Sequence, residues 1–164
     1  TGLTNISNND IISMKSLGVT PEYIRQMKDM GLDNLSATNI ISLKGIGVTP
    51  EFIQTFRQIG YKDLGASSLI SMKAVGVTPE YIKTLQDIGY SKIDANELVS
   101  MKAQDVNAEF IKGLEAIGFK NIPVNELISV KAMKITPDYI KSMKEKGFNY
   151  NSLNKYVQLK SIGD

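Results

Sequence analysis

Apolar and polar positions along the chain recur with a period of 29 residues, and such a period decides the fold before any local pattern does. Gly18-Val-Thr-Pro-Glu-Tyr-Ile24, Gly47-Val-Thr-Pro-Glu-Phe-Ile53 and Gly76-Val-Thr-Pro-Glu-Tyr-Ile82 follow one another at that spacing, and Asp105 to Ile111 and Lys134 to Ile140 continue the series with substitutions. A second series keeps the same register: Gly31, Gly60, Gly89, Gly118 and Gly147, each followed by an apolar or aromatic residue, Leu32, Tyr61, Tyr90, Phe119 or Phe148. The period divides residues 1–164 into one helical-repeat domain of five full repeats, 3–31, 32–60, 61–89, 90–118 and 119–147, and a half repeat, 148–164.

Within each repeat the hydrophobic spacing predicts two short helices, A and B. Helix B starts after Thr20, Thr49, Thr78, Asn107 or Thr136, residue types whose side-chain oxygen accepts from the free amides of a first turn. Proline follows in four of the five copies, at the position where its missing N–H costs nothing. Val19 and Ile24 then occupy the two positions of a hydrophobic staple, and the pair recurs as Val48 with Ile53, Val77 with Ile82, Val106 with Ile111 and Ile135 with Ile140. At the far end, Gly31 followed by Leu32, facing Met27, has the pattern of a Schellman stop, repeated four times. Tyr23, Ile24, Met27 and Met30 form one apolar arc on helix B.

Helix A is expected to be the shorter, about two turns from an N-cap at Asn9, Thr38, Ser67, Asn96, Asn125 or Asn154, and so dependent on packing between repeats. It carries apolar residues at Ile11, Ile12, Met14 and Leu17 and small ones at Ser13 and Ser16, repeated as Ser42 with Gly45, Ser71 with Ala74, Ser100 with Ala103 and Ser129 with Ala132. Little polar surface is left, which puts helix A in an inner layer approached closely over its small side. The fold class that follows is all-α, an α-solenoid of 29-residue two-helix repeats. The fourth repeat departs most, with Asp105 for glycine, Gln104 for an apolar residue, Asn107-Ala108 for Thr-Pro and Gly113 inside helix B. Gly113 inside a helix costs about 1 kcal/mol and a left-handed Asp105 a comparable amount, which predicts that this repeat is the least stable.

Helix A also holds a lysine in every copy: Lys15, Lys44, Lys73, Lys102, Lys131 and Lys160. At 100° per residue it falls inside the apolar arc, so the ammonium must snorkel or find a partner. The structural reading gives it the negative end of its own helix and the recurrent acid at the start of helix B, Glu22, Glu51, Glu80, Glu109 or Asp138. The functional reading makes it a ladder for an acidic peptide or glycan. A second candidate surface is the first variable position of helix B: Arg25, Gln54, Lys83, Lys112 and Lys141, a mildly basic column that reads as solvated face or as a partner-binding stripe.

Composition narrows the function more by exclusion. A chain 42% hydrophobic and 22% charged is globular, and it contains no apolar run long enough to insert in a membrane. The first residues do not read as a cleavable signal. With no histidine and no cysteine, triads, histidine zinc sites and thiolate sites have no ligands, and no cofactor is expected. Ser13-Met-Lys15 resembles a serine–lysine pair, but five copies in one register belong to a scaffold, whereas a nucleophile needs a single activated amine. No enzyme is expected. Leu43-Lys-Gly-Ile-Gly-Val-Thr-Pro-Glu51 resembles a helix-hairpin-helix, yet a glutamate or aspartate stands at every helix B start, where phosphate would sit, and the net charge is only +2. That argues against nucleic acid and leaves a protein or peptide as partner, or a structural spacer or oligomerisation rod with no partner.

The motif Leu-x-Ser-x-Lys-x-x-Gly-Val-Thr-Pro-Glu-Tyr-Ile, with a Gly-Tyr-type pair 13 residues after its first glycine, resembles tandem repeats in the C-terminal tails of bacterial membrane metallopeptidases of the antirepressor, antibiotic-sensor type. The resemblance covers nearly the whole chain, as a repeat only. It implies a regulatory or sensory accessory segment in a bacterium, tethered near a membrane or periplasmic in its parent protein. The His-Glu-x-x-His zinc motif of that family has no counterpart here, so no protease activity carries over.

Overall fold

The computed structural model describes Leu3 and residues 6–163. All regular structure among them is helical, in eleven helices: α1 (Asn8–Ser16), α2 (Pro21–Asp29), α3 (Ala37–Gly45), α4 (Pro50–Gln58), α5 (Ala66–Val75), α6 (Pro79–Gln86), α7 (Ala95–Ala103), α8 (Ala108–Ala116), α9 (Val124–Ala132), α10 (Pro137–Glu145) and α11 (Leu153–Ser161). Odd-numbered helices are helix A of successive repeats and even-numbered ones helix B, so the chain is an all-α array of two-helix repeats. It falls into two compact units, Thr1–Pro79 and Glu80–Asp164.

Helix B starts where its caps predict. The side chains of Thr20, Thr49, Asn107 and Thr136 accept from the backbone amides of Tyr23, Phe52, Phe110 and Tyr139. Its stops are equally regular, with the amides of Leu32, Tyr61, Tyr90, Phe119 and Phe148 reaching back to the carbonyls of Met27, Phe56, Leu85, Leu114 and Met143. Helix A ends with the same bond, from Val19, Val48, Val77, Val106 and Ile135 to Met14, Leu43, Met72, Met101 and Val130. Asp105 and Lys134 hold this turn at φ 54° where the other repeats use glycine.

The beginning of helix A differs from the expectation. Its N-caps are Ser7, Ser36, Gly65, Asp94, Pro123 and Ser152, two residues before Asn9, Thr38, Ser67, Asn96, Asn125 and Asn154. Reciprocal capping boxes select the earlier start where the residues allow it: Ser7 with Asp10, Ser36 with Asn39 and Asp94 with Glu97. Helix A therefore spans nine or ten residues and is no shorter than helix B, which spans eight or nine.

In the first unit the core gathers Tyr23, Ile24 and Met27 of α2 with Leu32, Leu35, Ile40 and Leu43, and extends to Val48, Ile53 and Leu69. Each fully buried side chain of this size contributes about 1.5–3 kcal/mol, which short isolated helices lack. Truncating Met27, which is completely enclosed, would cost about 2–5 kcal/mol. Helices A make the closest backbone approaches, α1 on α3, α3 on α5, α7 on α9 and α9 on α11. The small side expected to carry these approaches does not: Gly45, Ala74, Ala103 and Ala132 are exposed, while Ile40, Leu43, Leu69, Met72, Leu98, Met101, Leu127 and Val130 are buried.

Among helices B, α8 and α10 also come close, less extensively than the helix A pairs, and there Gly113 has its reason. A Cβ at that position would lie 2.9 Å from Cγ of Pro137, so the glycine that weakens α8 as a helix is what lets α10 dock against it.

Candidate functional site

The helix A lysines sit in the last turn of their helices, and from the second repeat on each lies over an aromatic ring of the preceding repeat. Lys44 Nζ is 4.6 Å from the ring centroid of Tyr23, and Lys73 is 4.4 Å from that of Phe52. In the second unit Lys102 is 4.8 Å from Tyr81, Lys131 4.6 Å from Phe110 and Lys160 4.3 Å from Tyr139. Every pair is separated by 21 residues. These distances are well inside the range in which the negative face of a ring attracts a cation, and the lysines are half-buried. For Lys15 the same offset falls before residue 1, and its side chain is exposed.

Three of the acids at the start of helix B are engaged elsewhere. Glu22 pairs with Arg25 and Asp138 with Lys141 on the same helix, one turn on. Glu51 is held below the ordinary carboxylate range by its own backbone amide and then by the Thr49 hydroxyl. Lys131 combines a ring with a carboxylate, its ammonium lying 3.4 Å from Asp105 Oδ2. Asp105, which replaces a turn glycine, thus adds an acid beside the lysine of the next repeat.

The rings have further duties. Tyr23 donates its hydroxyl to the Val48 carbonyl at 2.8 Å, and Tyr81 donates to Val106 at 2.6 Å, so each ties helix B to the start of the next. Burial pushes the Tyr23 hydroxyl up to about 12 and raises Tyr81 as well. Two cations on the variable face of helix B are also spent on neighbours. Arg57 donates to the Met30 carbonyl at the end of α2, and Lys144 to the Ile117 carbonyl at the end of α8, where the helix dipole favours positive charge.

The recurrent Ser-x-Lys pair is likewise divided between two tasks. Ser100 and Ser129 donate their hydroxyls to the carbonyls of Asn96 and Asn125, one turn back in their own helices, while Lys102 and Lys131 face rings. In these two repeats the serine proton is directed at backbone, not at an amine.

Arg25, Gln54, Lys83, Lys112 and Lys141 are all exposed. The fold brings them to the outer side of successive helices B, two repeats in the first unit and three in the second. Arg25 and Lys141 have their intrahelical acids, and exposed pairs of that kind contribute about 0–1 kcal/mol. The column is therefore nearly free of structural duty.

Large apolar side chains among the described residues are exposed only at the two ends of the array: Ile11, Ile12 and Leu17 in the first repeat, Phe148 and Ile162 at the last. The contrast with later repeats is sharp at one position. Ile11 is 52% exposed, whereas its counterparts Ile40, Leu69, Leu98 and Leu127 are completely buried.

Sequence reasoning reached the lysines and missed their rings. The available signal was the constant offset of 21 residues between two series that the 29-residue period treats separately. It had no means of finding the exposed end, since Ile11 has the same side chain as the buried Ile40. Compared with protein-family models and with curated proteins, the chain matches none.

Proposed function

We propose that the chain is a non-catalytic interaction module that binds a protein or peptide through the outer column of helix B, as a regulatory or sensory accessory segment of a bacterial protein. The observation that carries this reading is the division of labour among recurrent residues. Caps, stops, staples, lysines and rings are consumed in holding repeats together, and the column Arg25, Gln54, Lys83, Lys112 and Lys141 is exposed, variable and nearly unspent. Variation in a scaffold that is otherwise constrained is what a surface reading one particular partner would need. The regulatory role rests on the resemblance to sensor-metallopeptidase tails.

A structural spacer is the second reading, favoured by the confinement of exposed large apolar residues to the ends. A nucleic-acid backbone fits less well. Threonine or asparagine already caps the first turn of α2, α4, α8 and α10, and Glu22, Glu51, Glu109 or Asp138 would face the phosphate.

Photo-crosslinking residues at positions 83 and 112, introduced into the chain in its parent cell, test the reading. A discrete adduct, competed by excess unlabelled chain, is the expected result. Absence of any adduct at both positions would leave the spacer as the account.

A further inference from the structure

The second to sixth repeats open on Leu32, Tyr61, Tyr90, Phe119 and Phe148, one register position with three side-chain types. At the fourth repeat that side chain has a task. Tyr90 donates its hydroxyl at 2.8 Å to the Ile122 carbonyl near the start of the fifth, so its ring spans the gap between the two loops. Two periods earlier the same pair of positions is Leu32 and Leu64. Leucine is shorter than tyrosine and has no proton to give, and the Leu64 carbonyl accepts no hydrogen bond among the described residues. A groove of ≈ 340 Å³ opens there, between Leu32, Asn34 and Leu35 on one wall and Gly65, Ala66 and Ser67 on the other. It lies between the second and third repeats, inside the array. The same groove returns at ≈ 490 Å³ between Phe119 and Asn151, where the position again lacks a hydroxyl and the ring stands edge-on to Tyr156 instead.

We infer that the groove between the second and third repeats binds a phenol, whose ring takes the place that Tyr90 fills two periods on and whose hydroxyl donates to the Leu64 carbonyl. Leu32 and Leu35, both nearly buried, give the ring an apolar floor. The volume lies within the range of about 300–1,000 Å³ usual for small-molecule sites and exceeds what one ring needs, so the ring can carry a substituent para to its hydroxyl. The phenol is a free small molecule or the tyrosine side chain of a partner protein, and the two make the same contacts in the groove. None of the residues lining it belongs to the outer column of helix B. The inference therefore goes beyond the interaction-module reading and is tested apart from it.

The test uses the full chain with leucine, valine and alanine methyl groups labelled for NMR. The probes are 4-ethylphenol, a free phenol, and N-acetyltyrosinamide, the same group on a peptide unit; N-acetylphenylalaninamide lacks only the hydroxyl. Saturable shifts at Leu32, Leu35 and Ala66 are expected, with a dissociation constant on the order of millimolar. The phenylalanine amide should bind about fivefold more weakly than the tyrosine amide, the value of one hydrogen bond. Tighter binding of 4-ethylphenol assigns the groove to a small molecule, and tighter binding of the tyrosine amide to a partner's side chain. Leu32→Tyr supplies the ring from within the chain, as Tyr90 does, and is expected to abolish the shifts at Leu35 and Ala66. Tyr90→Leu is expected to open a second site, read as new shifts at Val124, the counterpart of Ala66 two periods on. No saturable shift with either phenol, equal binding of the phenylalanine amide, or binding that survives Leu32→Tyr overturns the inference. Should Leu32→Tyr fail to fold, Tyr90→Leu decides alone, and silence at Val124 refutes the assignment. None of these outcomes alters crosslinking at positions 83 and 112.

Discussion

Removing the ammonium of Lys73 and the ring of Phe52, singly and together, isolates the contact that recurs between repeats. Lys73→Met keeps the length and apolar stem of the side chain, and Phe52→Leu keeps an apolar residue beneath it. The ammonium stands 4.4 Å from the ring centroid in a half-buried setting, between the exposed case of about 0.5–1 kcal/mol and the desolvated case of about 2, so a coupling of about 1 kcal/mol is expected. That is about fivefold in the ratio of folded to unfolded chain. Phe52 also packs edge-on against Phe56, 4.8 Å away, and the double-mutant cycle cancels that loss. The assay is equilibrium urea unfolding followed by helical circular dichroism on the four proteins. Two controls accompany it. A cycle between Glu51→Gln and Lys73→Met is expected to show no coupling, and Lys15→Met, at an exposed lysine, to change stability by less than about 0.5 kcal/mol. A Phe52–Lys73 coupling below about 0.3 kcal/mol, or an equally large Glu51–Lys73 coupling, would show that the ring is not the partner.

Gly113→Ala should destabilise by about 1–3 kcal/mol in thermal unfolding despite the better helix former, because its Cβ meets Pro137 at 2.9 Å. Combining it with Pro137→Ala should recover most of that loss, and a simple sum of the two single effects would contradict the packing argument. Lys134→Gly should stabilise by about 0.5–1 kcal/mol in urea by relieving a left-handed residue at φ 54°, net of the looser unfolded chain. Tyr23 gives a pH dependence with a definite sign. Its hydroxyl titrates at about 12 folded, against about 10 unfolded, so the folded state holds the proton more tightly. The stability it contributes is complete below about pH 10 and is lost as pH rises through 12, so Tyr23→Phe should flatten the alkaline fall in thermal midpoint across that window.

Local chemistry made much of this fold legible in advance. Thr20, Thr49 and Thr136 cap their own helices, and Gly31 stops its own, so the sequence around each residue contains the whole interaction. Helix A was harder to place, because the cap varies through serine, glycine, aspartate and proline, while a recurrent asparagine or threonine two residues later draws the eye. What lay beyond reach was anything decided by a neighbouring repeat. Lys44 finds its ring 21 residues away, an offset that no helical or strand periodicity connects. Gly113 reads as a defect until Pro137 stands opposite it. The column from Arg25 to Lys141 was visible as a variable series, but that its members owe almost nothing to folding depended on seeing Arg57 and Lys144, on the same helices, bonded to neighbouring helix ends.

That separation between residues spent on folding and residues left for a partner is the core of the account, and one variant addresses it directly. Replacing Arg25, Gln54, Lys83, Lys112 and Lys141 together by alanine should change unfolding free energy by no more than about 1 kcal/mol, since each is an exposed surface position. The partner adduct formed from a crosslinker at neighbouring Thr84 or Gln54-flanking Thr55 should disappear in the same protein. A folded variant that keeps its adduct, or one that fails to fold, would contradict the account.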